Sequence, residues 1–172
     1  MKTLIAYFSR IGENIEDGEI VELTKGNTEK VAEKMHSLIE GSDLYKIEEE
    51  EPYPHTYMDC NFRAKREIEN NERPALKDTI GLNMANYDTI YIGFPIWYRT
   101  YPRIVATFLE KYDLTGKRVI PFCTNDEGYF GLSILELEKH IPGADIKKGL
   151  VIRGCEVDGS DDKIREFVEN NK

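Results

Sequence analysis

Long apolar runs are missing from this 172-residue chain. No stretch approaches the roughly 18–20 residues that span a bilayer, so no membrane segment is expected. Cysteine is scarce and odd in number: Cys60, Cys123 and Cys155 are widely spaced and form no CxxC. That pattern disfavours both a disulfide framework and a zinc site, and fits a reducing, cytoplasmic setting. Positive charge is in deficit, with 23 Lys+Arg against 32 Asp+Glu and a net charge of −9. An acidic balance of this kind argues against general nucleic-acid binding. There is no internal repeat, no low-complexity linker and no GxxxxGK[ST]. The N-terminal MKTLIAYFSR has a short apolar stretch and no small-residue cleavage site, so it reads as a first strand rather than a leader. What is present suffices for a core: 40% of residues are hydrophobic and 10% aromatic. A chain of this length is expected to form one domain, residues 1–172, burying roughly 70% of its unfolded surface.

Strand and helix patterns alternate along the sequence. Thr3–Phe8 is a near-continuous apolar run, as a strand buried on both faces requires. Asn27–Ile39 places Val31, Ala32, Met35, Leu38 and Ile39 on one helical face. Asp43–Ile47 reads as a second strand, His55–Ile68 as a helix with a weak apolar stripe, and Asn70–Asn86 as a polar loop. Thr89–Phe94 is a third strand. Pro102 then opens a helix carrying Ile104, Val105, Phe108, Leu109 and Tyr112. Val119–Cys123 reads as a fourth strand despite Pro121, which removes a ladder donor. The next helix is expected to bury Phe130, Ile134, Leu137 and Ile141 before Pro142-Gly143 stops it. Asp145–Ile152 is a fifth strand, bent at Gly149. A last helix, capped by Ser160 or Asp161, turns Ile164, Phe167 and Val168 inward. Five strands alternating with helices predict an α/β fold with a parallel sheet covered by helices on both faces. In such sheets ligands sit beyond the carboxyl ends of the strands, which directs attention to the residues after Phe8, Phe94 and Cys123.

Ser9-Arg10 follows the first strand, and Gly26-Asn27-Thr28 opens the first helix. Unpaired N–H groups at a helix start, with side-chain donors around them, suit a phosphate; equally, Asn27 or Thr28 serves as a plain helix cap. Gly93-Phe94-Pro95-Ile96-Trp97-Tyr98 follows the third strand and holds the chain's single tryptophan. Planar aromatics there either cover a flat ring or pack beneath the neighbouring helix. Thr124-Asn125-Asp126-Glu127-Gly128-Tyr129 follows the fourth strand as a small, polar wall.

These segments resemble the flavodoxin-like family. Ser9-Arg10 with Gly26-Asn27-Thr28-Glu29 is similar to its SRTGNT-type loop. Gly93–Tyr98 and Pro121-Phe122-Cys123-Thr124 are similar to the GFPIWW and PFCT segments of a bacterial group within it. Glu50-Glu51-Pro52-Tyr53-Pro54 and Asn71-Glu72-Arg73-Pro74 match as well, so the resemblance covers nearly the whole chain. It implies a flavodoxin-like three-layer sandwich, a five-stranded parallel sheet of order 2-1-3-4-5, binding FMN; that order and site are the known flavodoxin geometry. By position it assigns Ser9, Arg10, Lys25, Gly26, Asn27 and Thr28 to the FMN phosphate. Pro95, Ile96, Trp97 and Tyr98 would line the isoalloxazine, with Thr124, Asn125 and Gly128 on its other side and Tyr129 partly covering the ring. Two departures stand out. Residues 11–24 split the phosphate loop, and their centre reads as a hairpin turning at Asp17-Gly18. The third loop carries Asp126-Glu127 and Tyr129 in place of several glycines, and acid beside a flavin disfavours its reduced anion.

Other chemistries fit less well. Cys60-Asn61-Phe62-Arg63-Ala64-Lys65-Arg66 has the Cys-x5-Arg spacing of a phosphatase, yet falls inside a predicted helix rather than at a helix start. Ser9 and Pro95 stand where a receiver domain needs carboxylates for Mg²⁺. His36, His55 and His140 are scattered and read as surface residues, not a metal set. The expected function is electron transfer through bound FMN, with no protein acid or base essential. One version is a carrier docking on a redox partner protein; the alternative is an oxidoreductase drawing on NAD(P)H and passing hydride to a quinone-type acceptor. A third is a flavin-free interaction module, if residues 11–24 block the pocket.

Overall fold

A computed structural model describes residues 2–77 and 81–172; the middle of the expected 70–86 loop, residues 78–80, lies outside the described residues. In chain order the strands and α-helices are β1 (Thr3–Tyr7), β2 (Gly12–Glu16), β3 (Glu19–Leu23), α1 (Asn27–Leu38), β4 (Asp43–Lys46), α2 (Tyr57–Glu69), β5 (Thr89–Pro95), α3 (Arg103–Lys111), β6 (Arg118–Asn125), α4 (Ser133–His140), β7 (Asp145–Ile146), β8 (Leu150–Arg153) and α5 (Asp161–Glu169). The main sheet is parallel in the order β4-β1-β5-β6-β7, with β8 also paired to β6. Counting β7 and β8 as one interrupted strand, this is the expected 2-1-3-4-5 order. No helix among the described residues is long and apolar enough to cross a membrane.

Alternation along the strands divides the interior into two layers. Leu4, Ala6, Phe8, Ile90, Ile92 and Phe94 face one way and pack with Cys60 of α2, Ile104, Val105 and Phe108 of α3 and Leu137 of α4. Ile5, Tyr7, Tyr91, Ile120 and Phe122 face the other way, against Val31, Ala32 and Met35 of α1 and Ile164 and Val168 of α5. The central strands are thus apolar on both faces, which is why their sequences read as unbroken runs.

The chain tolerates Pro121 inside a central strand because the neighbouring strand is interrupted beside it. β7 pairs with Arg118 and Val119, while β8 begins opposite Phe122. The bend between them falls at Lys147–Gly149, where Lys147 N–H donates to Val119 O at 2.8 Å. Gly149 lies so close that a Cβ there would sit 2.5 Å from Pro121 O and 2.9 Å from its Cγ. The missing proline donor therefore falls where no ladder partner is needed.

Three expectations need correction. Phe130 is not on α4, which starts at Ser133; it lies in the preceding turn, where its carbonyl accepts the Ser133 N–H. Ser160 holds the N-cap position of α5, but its hydroxyl donates to Val157 O instead of capping the helix. His140 is not a surface residue: its side chain is 15% exposed and its Nδ1 lies 2.5 Å from the Tyr101 hydroxyl. His36 and His55 are exposed as expected.

Gly93 has no room for a side chain in the sheet. A Cβ there would lie 2.1 Å from the Phe122 ring of the paired strand. Gly93→Ala is expected to destabilise the fold by about 1–3 kcal/mol, the usual range for overpacking. Combining it with Phe122→Leu is expected to recover part of that loss, as read by urea denaturation of the single and double variants.

Candidate functional site

All strands of the main sheet run the same way, so their carboxyl ends emerge at one edge. There the loops after β1, β5 and β6 enclose a cavity of about 460 Å³, a size in the range of small-ligand pockets. Its first wall is the start of α1. Gly26 occupies the N-cap and supplies no side chain. Ser9, from the loop after β1, acts in its stead: its Oγ accepts the Glu29 N–H at 3.1 Å. That approach requires glycine, since a Cβ on residue 26 would be 2.1 Å from Ser9 Oγ. With the third amide of the helix capped from afar, those of Asn27 and Thr28 have no intrahelical acceptor. Together with the helix dipole they make a natural seat for an anion. The Thr28 hydroxyl lies 2.8 Å from that of Thr124, tying the α1 start to the end of β6.

The second wall is the turn after β5. Trp97 N–H donates to Thr100 O at 2.7 Å and Thr100 N–H returns a bond at 3.2 Å. Tyr98 and Arg99 between them have φ of 50° and 69°, the left-handed region for two non-glycine residues in succession. Trp97 packs edge-on against Tyr53 and Phe8, at centroid distances of 5.0 and 5.6 Å, so much of its ring serves the core. Tyr98 stays 42% exposed at the cavity mouth. The third wall, after β6, is shaped by Asn125: its Oδ1 accepts the Gly128 N–H and its Nδ2 donates to Tyr129 O at 2.7 Å. Tyr129 is 40% exposed, and a hydrogen bond to the Glu127 side chain holds its phenol above its ordinary pKa.

Of the residues singled out from sequence, the cavity brings together Ser9, Arg10, Asn27, Thr28, Pro95, Ile96, Trp97, Tyr98, Thr124, Asn125 and Tyr129. Gly26 and Gly128 act one step back, through the turns just described. Lys25 lies outside the lining, its ammonium 2.7 Å from the Glu33 carboxylate on the exposed side of α1. Arg10 touches the cavity, but its guanidinium is directed at backbone carbonyls. It donates to Pro54 O at 2.7 Å, His55 O at 2.6 Å, Thr56 O at 3.2 Å and the Glu13 carbonyl.

Those carbonyls show what residues 11–24 do. β2 and β3 form an antiparallel hairpin turning at Asp17-Gly18, with φ of 50° and 78°. Its base is fastened to the start of α2, where Glu13 N–H donates to His55 O at 3.0 Å and the Glu13 carboxylate accepts the Tyr57 N–H at 2.8 Å. Its tip is fastened to the third loop: the Asp126 carboxylate accepts the Asp17 and Gly18 N–H groups at 2.5 and 3.0 Å. Arg153 locks the junction, with Asp126 O at 2.8 Å and Asp17 Oδ1 at 2.6 Å. Asn14 and Ile15 of β2 line the cavity, so the hairpin adds a wall.

Sequence reasoning missed the wall made by α2: Tyr57, Cys60, Asn61 and Ala64. The Cys60 thiol is buried and its pKa is pushed up to about 11 by desolvation, which leaves it protonated and unfit as a phosphatase nucleophile. The i, i+3, i+4, i+7 spacing of these residues was the available signal.

An α/β sheet of this order, with one cavity framed by three carboxyl-terminal loops, defines the flavodoxin-like fold. The flavodoxin family model matches residues 2–171, and the chain belongs to that family. A protein from Bacteroides uniformis ATCC 8492, provisionally named a flavoprotein, is 32% identical over 98% of this chain and 97% of its own, with a TM-score of 0.77. A Lactobacillus acidophilus NCFM flavoprotein solved in complex with FMN is 28% identical over 92% of this chain and 97% of its own, with a TM-score of 0.63. Oxidised flavodoxin 1 from Bacillus cereus, at 17% identity and a TM-score of 0.57 over 98% of this chain and 95% of its own, shares the fold. No protein of curated description matches.

The hairpin junction is testable without any ligand. Asp126→Ala and Arg153→Ala are each expected to speed amide exchange at Asp17 and Gly18 about tenfold or more, for the loss of roughly 1–2 kcal/mol of local bonding. Exchange in β1 and β5 should stay unchanged.

Proposed function

We propose that this chain binds FMN in the cavity and carries electrons through it, docking on a redox partner protein in the cytoplasm. The reading rests first on the α1 start, where Ser9, Asn27 and Thr28 line the cavity and the first two amides of the helix have no intrahelical acceptor. That donor set fits a phosphate monoester, and the cavity is large enough for a flavin. The family relative solved with FMN supports the same reading.

Each wall has a task in this scheme. The α1 start holds the phosphate. Pro95, Ile96 and Trp97 give the ring a firm apolar border, and amides of the turns after β5 and β6 meet its polar edge. Tyr98 and Tyr129 are the exposed aromatics placed to cover its faces. FMN, when bound, supplies reversible uptake and release of electrons. Glu127 and Asp126 add negative charge beside it, which disfavours a reduced, anionic ring.

The carrier role rests on the rim. Met58 and Phe62 of α2, Tyr98 after β5, Tyr129 and Leu132 after β6, and Leu135 of the adjoining α4 are each 40–64% exposed. Tyr98 hydroxyl to Asn61 O and Leu132 N–H to Arg99 O tie these elements into one surface. An apolar rim around a cofactor edge suits protein docking, and a net charge of −9 steers a basic partner toward it.

The purified chain is expected to quench FMN fluorescence on titration. Ser9→Ala with Thr28→Ala should weaken FMN by on the order of 10- to 100-fold, for the loss of hydrogen bonds to a charged group, and riboflavin far less. Tyr129→Ala should weaken both flavins by roughly 2- to 10-fold, the worth of one aromatic contact, and raise residual flavin fluorescence. Added NADPH alone should leave the flavin oxidised under anaerobic conditions; bleaching without a partner reductase would replace the carrier with an NAD(P)H-dependent oxidoreductase. A folded chain that ignores both flavins would return it to the interaction-module reading.

A further inference from the structure

The turn after β5 carries more strain than a turn needs. Trp97 and Thr100 exchange backbone hydrogen bonds as an antiparallel pair, and both residues between them have positive φ. Those are the marks of a two-residue type I′ turn, whose usual occupants are asparagine followed by glycine. Here they are Tyr98 and Arg99. A side chain at φ of 69° is strained, and glycine in place of Arg99 would relieve it. The turn is also held from outside: Arg99 O accepts the Leu132 N–H, an approach open only because residue 131 is glycine. Strain held so firmly beside a cavity is a mark of side chains kept for function.

Arg99 is exposed, lines the cavity and, among the described residues, its guanidinium makes no hydrogen bond or ion pair. That sets it apart from the other charged residues of the lining. Arg10 donates to backbone carbonyls, the Asp126 carboxylate accepts amides from the hairpin tip, and Glu127 accepts from the Tyr129 hydroxyl. Tyr129 reports where the free charge lies. Its bond to Glu127 raises the phenol pKa, and the Arg99 charge acts on it in the opposite sense, so cation and acid face the same mouth. Without Arg99, the charge on the loops after β5 and β6 would be that of Asp126 and Glu127 alone.

We propose that Arg99 is held in this turn to stabilise the negative charge of a reduced flavin ring, raising the midpoint potential of bound FMN in opposition to Asp126 and Glu127. This rests on the FMN reading above. Two electrons and one proton convert the neutral oxidised ring to its reduced anion; the electrons come from the redox partner, the proton from solvent, and no bond to Arg99 forms or breaks. The ring carries charge in the reduced state, so an opposite charge on the same cavity favours that state and leaves the oxidised ring nearly unaffected. A partly solvated pair of unit charges is worth on the order of a tenfold preference, or about 30 mV for a two-electron couple.

The test is the two-electron midpoint potential of FMN bound to the whole chain, read anaerobically by dithionite reduction against a reference dye, together with the Kd of oxidised FMN. Arg99→Gln keeps the strained backbone and removes the charge. Its reduced complex should lose on the order of tenfold in affinity relative to its oxidised one, a drop of about 30 mV. Arg99→Lys keeps the charge and should stay within about threefold of wild type. The gap between wild type and Arg99→Gln should narrow as salt is raised, because the charge is exposed. Arg99→Gly should lower the potential in the same way while raising the urea midpoint of unfolding, as relief of the strain requires. An Arg99→Gln potential equal to wild type, or equal weakening of oxidised and reduced FMN, overturns the proposal and leaves FMN binding intact. So does an Arg99→Gly chain no more stable than wild type. Failure of the wild-type chain to bind FMN removes the FMN reading and this proposal together.

Discussion

The site depends on one close approach, that of Ser9 to the first turn of α1. A helix start normally hides its free amides behind its own N-cap side chain. Here the N-cap is Gly26, and the cap is delivered by Ser9 from a different part of the chain. Because Ser9 takes only the Glu29 amide, Asn27 and Thr28 keep theirs for the cavity. A side chain at position 26 would push Ser9 away and close the gap at once. The absence of a β-carbon thus fixes where β1 ends, where α1 begins and what faces inward between them. Thr28 and Thr124 then extend the constraint to β6 through their paired hydroxyls.

A second constraint lies in the turn after β5. Two adjacent left-handed residues with large side chains carry strain, about 1–3 kcal/mol each, that the surroundings must offset. The offsets are visible. Trp97 is wedged between Phe8 and Tyr53, the Trp97 and Thr100 backbones pair, and Leu132 N–H holds Arg99 O at 2.6 Å. Gly131 allows that last contact, since a Cβ there would fall 2.1 Å from Arg99 O. The result is that Tyr98 leaves the core side of the loop and faces the cavity mouth while its neighbour Trp97 does the packing. The two readings of these aromatics, ring cover and core filler, divide between adjacent residues.

The regular parts of this arrangement were legible because their signals are local. Apolar runs named β1, β5 and β6, and Asp17-Gly18 named the hairpin turn, since both follow from backbone preferences of a few neighbouring residues. The convergence of the three loops followed from the sheet being parallel. What stayed hidden depends on partners distant in sequence. The bonds from Arg10 to the carbonyls of Glu13 and of the segment before α2 could not be read from its place after β1. The α2 wall was missed because its inward face is small and polar, with Cys60, Asn61 and Ala64, so its spacing carried only a weak apolar stripe. Pro121 looked like an objection to a strand because the interruption of its neighbour cannot be read from the proline. The burial of His140 against Tyr101 likewise needs the packing of α3 on α4.

The hairpin changes the balance of the site without obstructing it. Arg10 stands at the end of β1, where its charge would serve an anion, yet it is directed to the carbonyls that anchor the hairpin base. Arg153 stands at the end of β8 and is directed to the hairpin tip. Two cations, Arg10 and Arg153, are thereby committed to holding an acidic segment in place, and Glu16 is carried to the start of α1, where it accepts from Asn27. On the FMN reading proposed above, the phosphate is held by neutral donors, the amides of Asn27 and Thr28 and the hydroxyls around them. Such donors are directional, set by backbone geometry, and insensitive to the salt that screens exposed ion pairs. On the same reading, the acidic surface attracts a partner over long distances while selection of the ligand rests on short hydrogen bonds inside.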